Sequence, residues 1–174
     1  MASIFAFTCK RCGEIHEGSP SIAFESPLHY HSLPADQKKS MGALDPNFCT
    51  IRHDEVVDRF IRGVLEVPIV GVAEPFIWGV WVSLSAQSFA KYQDTHAAPV
   101  LGDGFFGTLC NRLPGYPDTV ALPADVHVQL NGLRPLIVLH RVGDSQDHPL
   151  AIDQRDGISA ERAQELAECT THGT

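Results

Sequence analysis

Phe76-Ile77-Trp78-Gly79-Val80-Trp81-Val82-Ser83-Leu84-Ser85 is the stretch on which the fold turns. Alternate side chains of an extended strand point to opposite faces. Phe76, Trp78, Val80, Val82 and Leu84 therefore share one face, and Ile77, Gly79, Trp81 and Ser83 the other. Both faces are largely apolar, which predicts a central strand covered on both sides. Ser85 reads as the N-cap of a helix over residues 86–93, with Leu84 before it and Phe89 within it forming a hydrophobic staple.

Working outward, residues 59–70 repeat the strand pattern. Ile61, Leu65, Val67 and Ile69 lie on one face, and Arg62 and Glu66 on the other. Leu130-Asn131-Gly132-Leu133 is a strong turn signal, because Asn-Gly accepts positive φ, and it is flanked by Val126, Val128, Leu136 and Val138. Pro135 cannot donate to a sheet ladder, which puts the second strand at an edge or makes it irregular there. Residues 1–8 alternate as a short strand, residues 17–33 read as loop, and Leu33-Pro34-Ala35-Asp36-Gln37 starts a short helix. Ser159 caps a last helix over 160–170, whose narrow stripe of Ala163, Leu166 and Ala167 predicts light packing on the surface. The expected class is α+β: a mainly antiparallel sheet with a few short helices. One domain is expected over 1–174, with 1–55 as a metal-stabilised N-terminal segment.

The chain has 174 residues, 44% of them hydrophobic, which supports a real core. Thirteen Lys+Arg against 21 Asp+Glu give a net charge of −8. That balance opposes sequence-independent nucleic-acid binding and an anionic membrane surface, both of which need clustered cations. The longest apolar run, Val67 to Leu84, is interrupted by Pro68, Glu74 and Pro75, so no transmembrane helix is expected. The N-terminus lacks a basic region and a small-residue cleavage site, and a cytoplasmic protein is the simpler expectation. In reducing cytosol the five cysteines are thiols or metal ligands rather than disulfides.

Cys9-Lys10-Arg11-Cys12-Gly13 is the sharpest chemical signal. A Cys-x-x-Cys turn lets two thiolates reach one Zn²⁺ at about 2.3 Å, and the following Gly permits the tight turn. Lys10 and Arg11 offset the thiolate charge. His16 is placed to be a third ligand, and Cys49 is the first choice for the fourth, with His29, His31 and His53 as rivals. Cys110 and Cys169 sit in poorer contexts. Four protein ligands would make the Zn²⁺ structural. The bland alternative is two free thiols and a solvated His16. A redox pair is disfavoured, because Gly13 and the following Ser and Pro do not open a helix.

The remaining polar features are weaker. Arg62 reads as a solvent-face residue paired with Glu66. Trp78 and Trp81 point to opposite faces; core is the favoured reading for both, with Trp81 the one that could instead line a ligand groove. The segment from Asp147 through His148 and Gln154 to Ile158 reads as a loop before the last helix, with Arg134 and Asp153 able to converge on His148. No Gly-x-Ser-x-Gly, phosphate loop, dinucleotide fingerprint or His-Glu-x-x-His is present.

Taken in order, Cys9-x-x-Cys12-Gly13-x-x-His16, Cys49, Arg62-Gly63, the 78–85 tryptophan motif, Tyr116-Pro117, Arg134-Pro135 and His148-Pro149-Leu150-Ala151 resemble a bacterial family of unknown function. It is the one numbered 2199 among the domains of unknown function. The resemblance implies a bacterial, cytoplasmic, single-domain protein and carries no activity with it. The expectation is a zinc-stabilised, non-enzymatic module that binds a protein or small molecule. Trp81, Arg134, His148 and Gln154 are its candidate ligand contacts. The alternatives are a hydrolase or transferase using the His148 loop, or a metal-dependent enzyme with an open position at Cys9, Cys12 and His16.

Overall fold

The computed structural model describes residues 4–98, 100, 102–141 and 147–171. A small hairpin, β1 (Ala6–Thr8) with β2 (Ile15–Glu17), stands apart from the main sheet. The main sheet is built on two long strands, β6 (Val57–Val67) and β7 (Phe76–Leu84), paired antiparallel from Phe60↔Ser83 to Val67↔Phe76. From β7 the sheet continues through β8 (Gly104–Leu109), β9 (Pro123–His127) and β10 (Leu136–Leu139). It then closes on itself, because β10 meets β6 in parallel at Leu136↔Val64.

Three further strands extend this barrel. β3 (Ser21–Ala23) lies parallel to β7, while β4 (Gly42–Leu44) and β5 (Phe48–Arg52) continue outward from β6. The expectation of a mainly antiparallel sheet is therefore corrected: the sheet is mixed and closed. Alternation fixes which side chains share a face, not the direction of the neighbouring strand. The two parallel joints, β3–β7 and β10–β6, connect segments far apart in sequence, where no turn residue announces the pairing. Gly63 marks the closing seam. A Cβ there would stand 2.5 Å from Ile137 Cδ1 and 3.1 Å from the Pro135 carbonyl.

The barrel interior holds Ile61, Leu65, Val67, Trp78, Val80 and Val82, met by Val126 and Ile137 from the opposite wall. Helix α3 (Ala86–Ala97) covers β6, β7 and β8 with Phe89 and Tyr92. Ser85 caps it, its Oγ accepting from the Ser88 N–H at 3.1 Å, and Leu84 and Phe89 are both buried as the staple requires. On the outer face of the two long strands, Cys49, Ile51, Phe60, Trp81 and Cys110 form a second apolar cluster.

Several local expectations change. Residues 17–33 contain β3 and a short helix, α1 (Leu28–His31); α2 (Ala35–Met41) follows at the expected start. Of the 1–8 strand, Ala6–Thr8 is extended and paired, and residues 1–3 lie outside the described residues. Asn131 and Gly132 take φ of 61° and 70°, but they sit at the tip of a longer connection, since the strand pairing begins at His127↔Leu136. The segment after Asp147 is not a loop: Pro149–Asp156 is helix α4, with Pro at its start and Gly157 at φ 82° ending it. Helix α5 (Ala160–Thr171) begins at Ser159, whose Oγ accepts from the Arg162 N–H at 3.1 Å. It packs deeply rather than lightly, with Ala163, Leu166 and Ala167 all buried.

Candidate metal centre

The β1–β2 hairpin decides where the knuckle ligands go. Phe7 lies opposite His16 in the ladder, and their rings stack at 5.2 Å. The intervening turn is drawn tight by the Cys9 N–H on the Glu14 carbonyl and the Gly13 N–H on the Cys9 carbonyl, each 2.9 Å. Gly13 takes φ 75°, a left-handed conformation that glycine adopts without steric cost. The strand partner of Phe7 thus brings an imidazole back beside the two thiols.

The result is a three-donor cluster: the ligand atoms of Cys9, Cys12 and His16 all lie within 4.8 Å of one another. Cys12 Sγ and His16 Nε2 are 3.5 Å apart. Donors sharing one tetrahedral zinc stand roughly 3.4–3.8 Å apart, given metal–ligand lengths of about 2.0–2.3 Å, so the cluster needs only a small contraction. Backbone amides are turned toward the sulfurs. The Cys12 N–H, followed by that of Arg11, favours the Cys9 thiolate and holds its pKa below the ordinary thiol value, against burial and the charge of Glu168. Cys12 receives the Glu14 N–H, yet its pKa lies above the ordinary value because burial and the adjacent Cys9 sulfur outweigh that bond. One thiol is thus set to ionise before the other. These residues could hold a metal ion.

Helix α5 holds the turn from behind. Glu168 Oε1 accepts from the Lys10 N–H at 2.8 Å and from Gln164 Nε2 at 2.8 Å, and Gln164 Nε2 also donates to the Thr8 carbonyl at 3.1 Å. Glu168 and Gln164 were not legible in the sequence as part of this site. They are one helical turn apart on a helix distant in sequence, and only the fold brings them here.

Cys49, the fourth ligand expected from sequence, is not part of the cluster. It sits in β5, 1% exposed, with Ile51, Phe60, Trp81 and Cys110 around it. The alternation that buries Ile51 buries Cys49 on the same face of the sheet, and burial drives its thiol up to about 12. It behaves as a small core residue.

The four candidate ligand contacts do not converge. Trp81 is fully buried, its indole N–H donating to the Phe24 carbonyl at 3.0 Å, so it lines no groove. Arg62 lies over the Trp81 ring at 5.9 Å rather than as a solvent-face residue. Arg134 reaches the Pro46 carbonyl at 3.5 Å. His148 caps α4, its Nδ1 accepting from the Leu150 N–H at 3.1 Å. Gln154 turns to the barrel, its Oε1 accepting from the Leu139 N–H at 2.9 Å and its Nε2 donating to the Ile137 carbonyl at 2.7 Å. Asp153 is taken up by the Tyr116 hydroxyl at 2.8 Å. The proposed meeting of Arg134 and Asp153 on His148 is not formed.

A concavity unseen in the sequence lies elsewhere. A cleft of about 560 Å³ opens over the outer face of β6, β7 and β8, between His29, Phe60, Ser83, Ser88, Thr108 and Ala121. Ser83 Oγ and Thr108 Oγ1 are 2.6 Å apart on its floor. Ala121, on its wall, holds φ 66°, an unusual conformation for a residue with a Cβ. The cleft depends on strand neighbours, which no local spacing reveals.

A family model described as "Uncharacterized protein conserved in bacteria (DUF2199)" matches residues 8–158. No curated protein and no solved structure matches the chain. Among the described residues no helix is long and apolar enough to cross a membrane. The matched span runs from the knuckle to the end of α4 and covers most of the chain, and the protein belongs to this bacterial family.

Proposed function

We propose that this protein is a zinc-stabilised, non-enzymatic binding module. The observation that carries the reading is the Cys9–Cys12–His16 cluster, with its donors within 4.8 Å and backbone amides turned toward both sulfurs. Two thiols and an imidazole are a soft donor set, suited to zinc rather than to the hard cations that prefer oxygen. The metal braces a short hairpin that has no extensive core of its own, a structural use of zinc. Its reach is local to residues 9–16, because β3, β4 and β5 are held by pairing with the main sheet. A reducing, cytoplasmic setting suits this cysteine usage: Cys49 and Cys110 are buried free thiols.

The partner is a small molecule or a protein segment, and the 560 Å³ cleft is the surface offered to it. Its floor of paired hydroxyls beside an aromatic ring suits an uncharged polar ligand better than a nucleic acid, in keeping with the net charge of −8.

Metal analysis of protein purified without chelators tests the zinc reading. The expected result is about one Zn²⁺ per chain, as one such site requires, together with a fall in melting temperature on chelation. Cys9→Ser and Cys12→Ser lose the metal, whereas Cys49→Ser keeps it. Absence of metal, with a melting curve unmoved by chelator, overturns the reading.

A further inference from the structure

Cys9, Cys12 and His16 leave a zinc ion one ligand short of tetrahedral coordination. The geometry points to Glu168 of α5 as the fourth ligand, through Oε2, so that the metal joins the first hairpin to the last helix. This rests on the zinc reading above. Glu168 lies beyond the residues matched by the family model, so the inference concerns this chain.

Glu168 is already fastened to the loop that carries both sulfurs. Its Oε1 is held by the Lys10 N–H and by Gln164 Nε2, both at 2.8 Å, and Lys10 lies between the two cysteines. Those bonds occupy one carboxylate oxygen; Oε2 has no hydrogen-bond partner among the described residues. Glu168 stands outside the 4.8 Å donor group, so coordination through Oε2 requires its side chain to move toward the sulfurs. A carboxylate oxygen is an ordinary zinc ligand at about 2.0–2.2 Å.

Charge gives the second argument. The Glu168 carboxylate is fastened to the turn that carries both sulfurs, at the backbone of Lys10 between them. Two thiolates and a carboxylate in one place repel one another unless a cation sits among them. A divalent ion removes most of that repulsion, and Lys10 and Arg11, whose charges act on Glu168, offset the remainder. None of the three remaining cysteines competes on these grounds. Cys49 and Cys110 belong to a separate buried cluster, and Cys169, though adjacent to Glu168 in sequence, is exposed.

The test uses the full chain, stripped of metal and titrated with Co²⁺ alone, followed by Zn²⁺ competition. Cobalt reports coordination through its thiolate charge-transfer and d–d absorption. Glu168→Gln keeps an amide oxygen for the Lys10 N–H and removes the anionic donor. It is expected to weaken zinc binding at least about tenfold and to shift the d–d bands. Gln164→Ala loosens the same helix contact without removing a donor and is expected to retain the wild-type spectrum. Cys169→Ser is expected to match wild type.

If Glu168→Gln matches wild type in affinity and spectrum, Glu168 is a clamp and the inference falls while the zinc reading stands. If Cys169→Ser is the variant that weakens binding, the helix supplies a sulfur instead and the inference also falls. If the wild-type chain develops no thiolate–cobalt band, the zinc reading falls with it.

Discussion

Gln154→Ala removes a side chain that acts as a piece of strand. β10 is paired with β9 along one edge, but its other edge meets β6 only at Leu136↔Val64. Beyond that point Gln154 takes over, satisfying the Leu139 N–H at 2.9 Å and the Ile137 carbonyl at 2.7 Å. Ile137 is 1% exposed and Leu139 6%, so water does not readily replace the amide. Each buried backbone group left without a partner costs about 1–3 kcal/mol. The two groups are neighbours and share one helix contact, so their costs fall short of additive, giving a total of roughly 2–4 kcal/mol.

For a chain of this size that loss lowers the melting temperature by roughly 5–15 °C, at about 2–4 °C per kcal/mol. Urea unfolding at an unchanged m-value is the assay, with amide exchange at Leu139 as the local readout. Gln154→Glu, which keeps an acceptor for Leu139 but sets a carboxylate against the Ile137 carbonyl, is expected to be no better tolerated. A Gln154→Ala protein within about 0.5 kcal/mol of wild type, the range of an ordinary surface change, would refute the reasoning.

Three further outcomes follow from the same structure. Gly63→Ala forces a methyl group against Ile137 at the seam and is expected to cost about 1–3 kcal/mol; combination with Ile137→Val, which removes the Cδ1 methyl, should be less than additive in chemical denaturation. Ser85→Ala deletes the cap on the Ser88 N–H and is expected to cost about 1 kcal/mol by the same assay. Burial drives Cys49 up to about 12 and Cys110 up to about 11, from an ordinary 9.0, so the unfolded chain ionises these thiols first. Between those values the unfolded state holds fewer protons than the native one, and stability falls as pH rises above 9. Urea midpoints from pH 7.5 to 10 should show this fall, and a Cys49→Ala Cys110→Ala double variant should show less of it; an identical slope in both proteins contradicts the assignment.

What could be read from the sequence was what neighbouring residues decide. The two-faced run at 76–84, its Ser85 cap and the Leu84–Phe89 staple all lie within one short segment, and all three form as expected. The Cys9–Cys12–His16 grouping was equally local, because a tight hairpin returns His16 to the cysteines. Cys49 was chosen by residue type, and it stands outside that grouping because strand alternation buries it beside Ile51. Helix α4 was mistaken for a loop because its polar residues outnumber its apolar ones. Pro149 at its start and Gly157 at its end were the available signals. The barrel closure and the Glu168 contact lie beyond local reading, since each joins residues from opposite parts of the chain.

Strand β6 is the common partner of β5, β7 and β10, and that arrangement sets an order on assembly. The β6–β7 ribbon needs only a short connection to form, so it can nucleate early. Closure must wait until Leu136 returns to Val64, after the intervening strands have found their places. The entropy of bringing such distant segments together is lost before their contacts repay it, which slows folding. A chain caught before that step carries a finished ribbon whose β6 edge is bare beyond the β5 pairing, open to a strand from a second molecule. The narrow seam that completes the barrel is therefore also where crowded or rapid synthesis would put the protein at risk of misassembly.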